Sequence, residues 1–258
     1  MKNFILSLLI LILFPLKTYS SEDNFIKIAY YENFFPFSIK QDGVLKGIFV
    51  EYIEYLFSLS NDYKIISDGF PWERAQDYVR KNMYDAHITL KNPAREEFLL
   101  SSNSIIFEDS LVLIYSINNK NFKDIEKISK LDTLKSYSIN DYLGNSRINM
   151  YPEEKGFKLK LSSNIEDCFL KLFKGDGDVI ITSKVIADLE IRKKYKNILK
   201  IKNINFLNET KVKYFFMIRK TRKDADNILK IFEKNIKKDK NKEKFNAIYN
   251  KYINNYDL

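Results

Sequence analysis

Arg95 is the side chain in this sequence best suited to hold a small anion. Its guanidinium group can donate two parallel hydrogen bonds to one carboxylate, and a cleft that closes over such a pair strengthens it. The alternative is a surface arginine that pairs with Glu96 or Glu97. Lys91, in the preceding loop, could add a second positive charge for an anionic ligand, or it could simply point to solvent. This segment therefore predicts a site for an anion.

A second anion-binding feature is predicted where a helix begins near Ser146. The serine hydroxyl can cap that helix, and the backbone amides of a helix N-terminus attract negative charge. Gly144 and Asn145 would permit a tight approach to the backbone. The alternative is plain helix capping without a ligand. If both features face one cleft, Arg95 and Ser146 would hold an anion between them.

Two aromatic residues stand where they could contact the rest of a ligand. Tyr31 follows a predicted strand, and Trp72 opens a predicted helix. Their flat faces could sandwich an aliphatic or cationic group, although either ring could instead pack in the core. Glu32 lies beside Tyr31 and could supply a carboxylate to a positively charged group.

The single histidine and the single cysteine exclude several kinds of site. Cys168 cannot form an internal disulfide, and with only His87 beside it a structural zinc site is not expected. No Ser-His-Asp set surrounds His87, and no glycine-rich phosphate loop is present. We therefore expect neither a metal nor a cofactor. His87 is predicted to be a packed strand residue, and Cys168 a core residue.

The N-terminus has the pattern of a secretory signal peptide. Residues 1–20 contain an apolar run shorter than the roughly 20 residues that span a bilayer, and they end in Thr18-Tyr19-Ser20. A permanent membrane anchor is the alternative. Cleavage would place the protein in the periplasm, where nucleic acid is not an expected partner. The formal net charge of +9 reflects mainly the lysine-rich C-terminal third, which we interpret as solvated helix faces.

The elements that must position these residues alternate between strands and helices. Strand-like apolar runs are separated by apolar residues at helical spacing, which predicts an α/β fold with parallel strands. The pattern then restarts, and the last strand and two helices are expected to return to the first half. The predicted lobes are residues 24–114 with 212–258, and residues 119–205, joined by crossings near 115–118 and 206–211. Two crossings make a hinge, and ligands of such sheets lie beyond the carboxyl ends of the strands.

Several segments together resemble the family 3 extracellular solute-binding proteins that deliver polar amino acids and similar solutes to ABC transporters. The resemblance spans essentially the whole chain after the signal peptide, and no single motif carries it. The matching segments are Tyr31-Glu-Asn-Phe-Phe-Pro-Phe-Ser38, Asp42-Gly-Val-Leu-Lys-Gly47, Phe70-Pro-Trp-Glu-Arg-Ala75, Met83-Tyr-Asp-Ala86, Pro93-Ala-Arg-Glu-Glu-Phe98, Leu143-Gly-Asn-Ser146 and Phe173-Lys-Gly-Asp-Gly-Asp-Val179.

The resemblance implies a two-lobed periplasmic-binding-protein fold of type II, with two α/β lobes joined by a two-crossing hinge. It implies a periplasmic, non-enzymatic and monomeric protein that binds a small polar solute and presents it to an inner-membrane ABC permease. It assigns Arg95 to a carboxylate of an amino acid or a similar solute. One alternative is a periplasmic enzyme similar to cyclohexadienyl dehydratases, which needs an acid such as Glu32 or His87 in the cleft. Another is the solute-binding lobe of a sensor.

The sequence departs from the family pattern at two places. Ser183 stands at a strand end where amino-acid binders of the family commonly have an aspartate for the ligand ammonium. Glu32 could substitute for that aspartate, or the solute could lack an α-amino group. The loop before Arg95 is shorter than usual and carries Lys91 and Asn92 where threonine is typical. The expected ligand-binding residues are Tyr31, Glu32, Trp72, Thr89, Lys91, Arg95, Gly144, Asn145, Ser146 and Ser183.

Overall fold

A computed structural model describes residues 24–60, 62–207 and 209–254. The predicted signal peptide, residues 1–20, lies outside the described residues. The strands are β1 (Phe25–Tyr31), β2 (Asn33–Phe34), β3 (Ser38–Gln41), β4 (Val44–Lys46), β5 (Lys64–Phe70), β6 (Ala86–Thr89), β7 (Leu99–Ser101), β8 (Phe107–Ser116), β9 (Ser138–Tyr142), β10 (Lys158–Ser162), β11 (Val179–Ser183), β12 (Leu199–Asn203) and β13 (Lys211–Arg219). The α-helices are α1 (Ile48–Ser58), α2 (Trp72–Arg80), α3 (Pro93–Glu96), α4 (Phe122–Glu126), α5 (Ile165–Phe173), α6 (Lys184–Glu190), α7 (Ala225–Ile236) and α8 (Asp239–Asn254). None of the helices in these ranges is both long and apolar enough to cross a membrane.

Two groups of parallel strands confirm the predicted α/β fold. In the first half, β1 pairs in parallel with β5 along its length and with β6. In the second half, β9 pairs in parallel with β10 and β11. Parallel strands need crossover connections: α1 lies in the connection from β1 to β5, α2 connects β5 to β6, and α5 connects β10 to β11. Trp72, Ala75 and Val79 form the buried face of α2, at the helical spacing that the sequence shows.

Two long antiparallel strands, β8 and β13, lie where the two halves meet. The start of β8 pairs with β13, where Phe107 faces Tyr214, and its remainder pairs with β11 and β12 of the second half. β13 in turn continues beside β6 and β7 of the first half. β8 changes pairing partners between Ser110 and Leu111, whereas β13 pairs with β6, β7 and the start of β8. The predicted crossings near 115–118 and 206–211 stay predictions. A hydrophobic pattern does not reveal a strand that changes partners along its length. The predicted residue bounds of the two lobes stay predictions.

The last two helices pack against the first helix of the chain. The Tyr252 hydroxyl of α8 accepts a hydrogen bond from the Gly47 backbone N–H at 3.0 Å, and Asn235 of α7 donates to the Leu56 carbonyl at 2.9 Å. Gly47 has φ 137°, and a Cβ atom there would lie 2.4 Å from the Phe37 carbonyl oxygen. Only glycine fits this start of α1 without displacing the backbone.

A buried ion-pair cluster joins the strands of the first half to the C-terminal segment. Asp85, before β6, lies 2.8 Å from the guanidinium of Arg222 and 2.9 Å from that of Arg219. Its carboxylate also accepts a hydrogen bond from the Lys27 backbone N–H at 2.9 Å. Asp224 accepts from Arg222 at 2.7 Å. Burial of these charges is tolerated because carboxylates of the same chain surround the arginine.

Candidate functional site

A small chamber lies where the carboxyl ends of the first-half strands meet the end of β9. Tyr31 ends β1, Trp72 follows β5 and Thr89 ends β6, so the parallel pairing brings them together. The cavity is about 30 Å³, which is room for about one water molecule. Its lining consists of Tyr30, Tyr31, Phe34, Ser38, Phe49, Trp72, Ile88, Thr89, Leu90, Arg95, Tyr142, Asn145, Ser146 and Tyr214.

Arg95 lies in this chamber with 4% of its surface exposed. Asn92 caps the short helix α3 by accepting the Arg95 backbone N–H at 2.8 Å, and this cap fixes the start of the side chain. One terminal nitrogen, Nη1, donates to the Leu90 carbonyl and to the Ser146 hydroxyl, both at 3.1 Å. The guanidinium carbon lies 5.4 Å from the Trp72 ring centroid. Arg95 and Ser146 therefore line the same chamber, and their predicted role toward a solute stays a prediction.

Gln76 is the central site residue that the sequence reasoning missed. Its Oε1 accepts hydrogen bonds from Arg95 Nε at 3.2 Å and from Arg95 Nη2 at 2.9 Å, which is the pair of donors that a carboxylate would use. Its Nε2 donates to the Gly144 carbonyl at 3.1 Å, so one side chain connects the two halves. The available signal was its position one helical turn after Trp72, on the same face of α2.

Aromatic rings from both halves stack within the chamber. The Tyr31 ring is stacked 5.6 Å from Phe34 on one side and 5.6 Å from Tyr142 on the other, and Trp72 lies 6.1 Å away. Burial raises the pKa of the Tyr31 hydroxyl, so it stays neutral at physiological pH. These rings can contact apolar or planar parts of a solute. Tyr142 has no motif that would have revealed it.

The wall from the second half is formed by the segment that follows β9. The expected helix at Ser146 is only a 3-10 helix, Ser146–Met150, so it has no extended N-terminal amide array. Gly144 has φ 76°, and a Cβ atom there would lie 3.2 Å from Trp72 Cδ1, so glycine allows this wall to approach α2 closely. Asn145 is oriented by Asp141, whose Oδ1 accepts from its amide at 2.7 Å.

Asp141 is a buried carboxylate, 2% exposed, that supports the wall rather than lining the chamber. Besides the Asn145 amide, it accepts hydrogen bonds from the Tyr151 hydroxyl at 2.5 Å and from the Tyr142 backbone N–H at 2.8 Å. Donors on both oxygens compensate the cost of burying the charge. Sequence reasoning missed this support because its partners converge only after the segment folds.

The structure does not bring Ser183 to the chamber. Ser183 is fully buried, and its hydroxyl donates to Asp109 of β8, which also accepts the Val185 backbone N–H at 2.9 Å. Asp109 thereby caps α6 through its side chain. The serine is occupied by this contact between neighbouring strands, so its expected role toward the solute is not supported by its position.

Glu32 and Lys91 also lie outside the chamber. Glu32 is half-buried and is not among the lining residues. Lys91 lies on a second, larger cavity of about 950 Å³, which we call the outer groove. The outer groove is lined by Leu90, Lys91, Asn92, Pro93, Leu111, Leu131, Asp132, Lys135, Ser146, Asn149, Met150, Lys155, Phe157, Leu207, Glu209, Thr210, Lys211, Val212, Lys213 and Phe215.

His87 packs behind the chamber and does not line it. It is fully buried, 5.5 Å from the Trp72 ring, as expected of a strand residue. Burial and the nearby positive charge of Arg95 lower its pKa to about 3, so it is neutral at physiological pH. Neither acid proposed for the enzyme alternative, Glu32 or His87, is therefore placed to transfer a proton in the chamber. No group of three or more metal-ligating side chains occurs within the described ranges.

The two α/β halves meet at a chamber that contains a buried arginine and lies at the ends of their strands. This is the architecture of a solute-binding protein. The chain belongs to the bacterial extracellular solute-binding proteins, family 3, whose sequence profile matches residues 26–255. This confirms the family and the solute-binding role inferred from the sequence segments. Comparison with curated proteins gives no match.

Solved structures share the fold at low sequence identity. A substrate-binding protein of an amino acid ABC transporter has a TM-score of 0.73 and 17% identity, covering 89% of this chain and 99% of its own. AbpA from Streptococcus pneumoniae, bound to L-arginine, has a TM-score of 0.74 and 15% identity, covering 90% and 96%. A structure from work on glutathione import via GshT and the cystine importer TcyBC of Streptococcus mutans has a TM-score of 0.74 and 20% identity, covering 90% and 95%. The predicted two-lobed binding-protein fold is confirmed by these matches.

Proposed function

We propose that this protein captures a small, polar, carboxylate-bearing solute between its two halves and delivers it to an inner-membrane ABC permease. An amino acid or a similar acid fits this class. The solute is returned unchanged, so the protein acts as a carrier and not as an enzyme. It works as a monomer in the periplasm after removal of residues 1–20. The family match and the position of Arg95 support this proposal.

The observation that carries the proposal is the hydrogen bonding of Arg95. Its fork donates to the Gln76 amide oxygen, while Nη1 donates to a carbonyl and a hydroxyl oxygen. These three described acceptors are uncharged. A carboxylate binds guanidinium donors more strongly than an amide oxygen does, because the bonds are then assisted by charge on both sides. A solute carboxylate can therefore displace Gln76 from Arg95.

Binding requires the two halves to separate and close again. The chamber of about 30 Å³ is too small for an amino acid, and hydrogen bonds from Arg95 to Ser146 and from Gln76 to Gly144 join the two halves. Opening exposes Arg95, and closure over the solute removes water and strengthens the ion pair. β8 would bend where it changes partners between Ser110 and Leu111, since this described strand pairs both with β13 and with β11 and β12 of the second half.

The lining of the chamber favours recognition through the acid group of the solute. No carboxylate belongs to the lining residues of the described chamber, and Ser183 is engaged with Asp109. An α-ammonium group would therefore meet only neutral acceptors, such as hydroxyl and amide oxygens. We propose that Arg95 provides the main electrostatic contact and that an α-amino group is not required.

The direct test is mass spectrometry of small molecules retained through native purification. A carboxylate-bearing solute should be released on denaturation, should rebind in calorimetry with one site per chain, and should be recovered unchanged after prolonged incubation. Conversion to a new product would instead support the enzyme alternative. Absence of any retained solute, together with no calorimetric binding of amino acids or short-chain acids, would contradict the proposed function.

A further inference from the structure

The outer groove is the natural continuation of the chamber. Leu90 and Ser146 line both cavities, so a group held at Arg95 can extend past these two residues into the groove. A third cavity, of about 370 Å³, lies elsewhere between the halves and shares no lining residue with the chamber. The groove volume of about 950 Å³ is at the upper end of the range of ordinary ligand pockets. Any part of a solute that does not fit the chamber is therefore directed into the groove.

The charge of the groove is predominantly positive. Five lysines line it, against two acids, Asp132 and Glu209. Lys135 forms an ion pair with Asp132 at 2.7 Å, and Lys211 pairs with Glu108 at 2.6 Å. Lys213 lies 3.6 Å from Glu108. Among the described residues no carboxylate forms an ion pair with Lys91 or Lys155. Two ammonium groups thus remain available for an anion.

The two walls of the groove each present a lysine beside an aromatic ring. Lys91 Nζ, from the first half, lies 4.1 Å from the ring centroid of Phe215. Lys135 Nζ, from the second half, lies 5.4 Å from that of Phe157. The rings belong to a mostly buried floor, with Phe215 8% and Phe157 6% exposed. Cation–π contacts hold the lysine heads over this floor, and Lys91 is still exposed to solvent, which suits a ligand with an apolar stem and an acidic end.

We propose that the outer groove binds a second, negatively charged part of the solute whose first carboxylate is held at Arg95. The solute class is an elongated organic dianion with an apolar segment between its acid groups. Lys91 and Lys155 bind the distal acid group. The floor formed by Phe215 and Phe157 contacts the apolar segment of the solute. This inference rests on the proposed solute-binding function and specifies the substrate class of the same site.

Matched pairs of probes that differ by one acid group test the proposal. Adipate is compared with hexanoate, and the dipeptide Ala-Glu with Ala-Gln, by isothermal titration calorimetry at low ionic strength on the wild-type chain. At least one dianion should bind about tenfold more tightly than its monoanionic partner. The reason is that the groove lysines attract the distal acid group and little salt is present to screen this attraction. The double variant Lys91→Gln/Lys155→Gln should reduce the affinity for that dianion to the level of the monoanion.

The control is the double variant Lys174→Gln/Lys200→Gln, which removes the same charge from exposed positions outside all three cavities. It should leave the preference for the dianion in place. If mono- and dianions bind equally, or if both double variants behave alike, the groove proposal is wrong while the proposed function stands. If no dianionic probe binds, the groove proposal is likewise wrong. The proposed function fails as well only if no solute is retained through native purification and no amino acid or short-chain acid binds in calorimetry.

Discussion

Two buried arginines, Arg222 and Arg95, meet opposite surroundings. The side chain of Arg222 is 9% exposed and lies 2.8 Å from Asp85 and 2.7 Å from Asp224, so carboxylates of the same chain balance its charge. Arg95 is 4% exposed as a residue and donates to amide, carbonyl and hydroxyl oxygens. The first arrangement is complete and serves stability. The second can be improved by an incoming carboxylate, which is what a binding site requires.

The largest expected effect is on folding and comes from the Arg222 side of this comparison. Asp85→Asn removes the negative charge that balances the charges of Arg222 and Arg219 in the buried cluster. It should lower the free energy of unfolding by about 3–5 kcal/mol. Chemical denaturation followed by circular dichroism measures the change. The matched control, Asp77→Asn, breaks an exposed pair with Arg80 and should cost about 0–1 kcal/mol. Equal losses of unfolding free energy in the two variants would show that the buried cluster is no more important for stability than the exposed pair.

The next effect concerns solute affinity and Arg95. Arg95→Ala should weaken binding of the identified solute by more than about 2 kcal/mol, because the solute carboxylate loses its charged partner in a closed cleft. Calorimetry provides the comparison with Arg74→Ala, which changes an exposed arginine near the start of α2. Unchanged affinity in the Arg95 variant would mean that the anchor lies elsewhere.

Gln76 should have a smaller effect of the opposite sign. Its amide oxygen occupies the Arg95 fork, so Gln76→Ala removes an internal competitor and should strengthen solute binding by up to about 1 kcal/mol. Gln41→Ala, at an exposed position of β3, controls for loss of a surface amide. Weaker binding in the Gln76 variant would show that this side chain contacts the solute directly.

The smallest effect is a pH dependence at the Arg222 cluster. Burial alone would raise the pKa of Asp224, but hydrogen bonds from Arg222 and Tyr63 outweigh it and leave the pKa below its usual value. The unfolded chain then binds the proton more readily, so this contribution to stability is present above about pH 4 and is lost as the pH falls through the lower folded value. Asp224→Asn should reduce the pH dependence of the unfolding midpoint between neutral and acidic pH. An unchanged dependence would argue against this coupling.

Residues at strand ends could be predicted from the sequence, and contacts between distant segments could not. Tyr31, Trp72, Thr89 and Arg95 follow apolar runs, and parallel pairing brings such positions to one edge. For Gln76 the only signal is its position one turn after Trp72, and it is weak because a glutamine on an amphipathic helix is usually a solvated residue.

The differences between the expected and the observed arrangements of Ser183 and Ser146 have physical causes of the same kind. The engagement of Ser183 by Asp109 depends on the register between β8 and β11, which no local pattern fixes. The helix expected at Ser146 stays short because the chain turns after Met150 to bring Tyr151 onto Asp141. In both places a tertiary contact decided the outcome.

Trp72 is the only tryptophan in the sequence, and it lies in the chamber with 8% of its surface exposed. All indole emission of the protein therefore originates at the place where the two halves meet. The ring is shielded by Tyr31 and His87 and lies beside the Arg95 guanidinium. Entry of water on opening should shift this emission to longer wavelength, and exclusion of water on closing should reverse the shift. The native chain thus carries its own optical reporter of cleft opening, without any label.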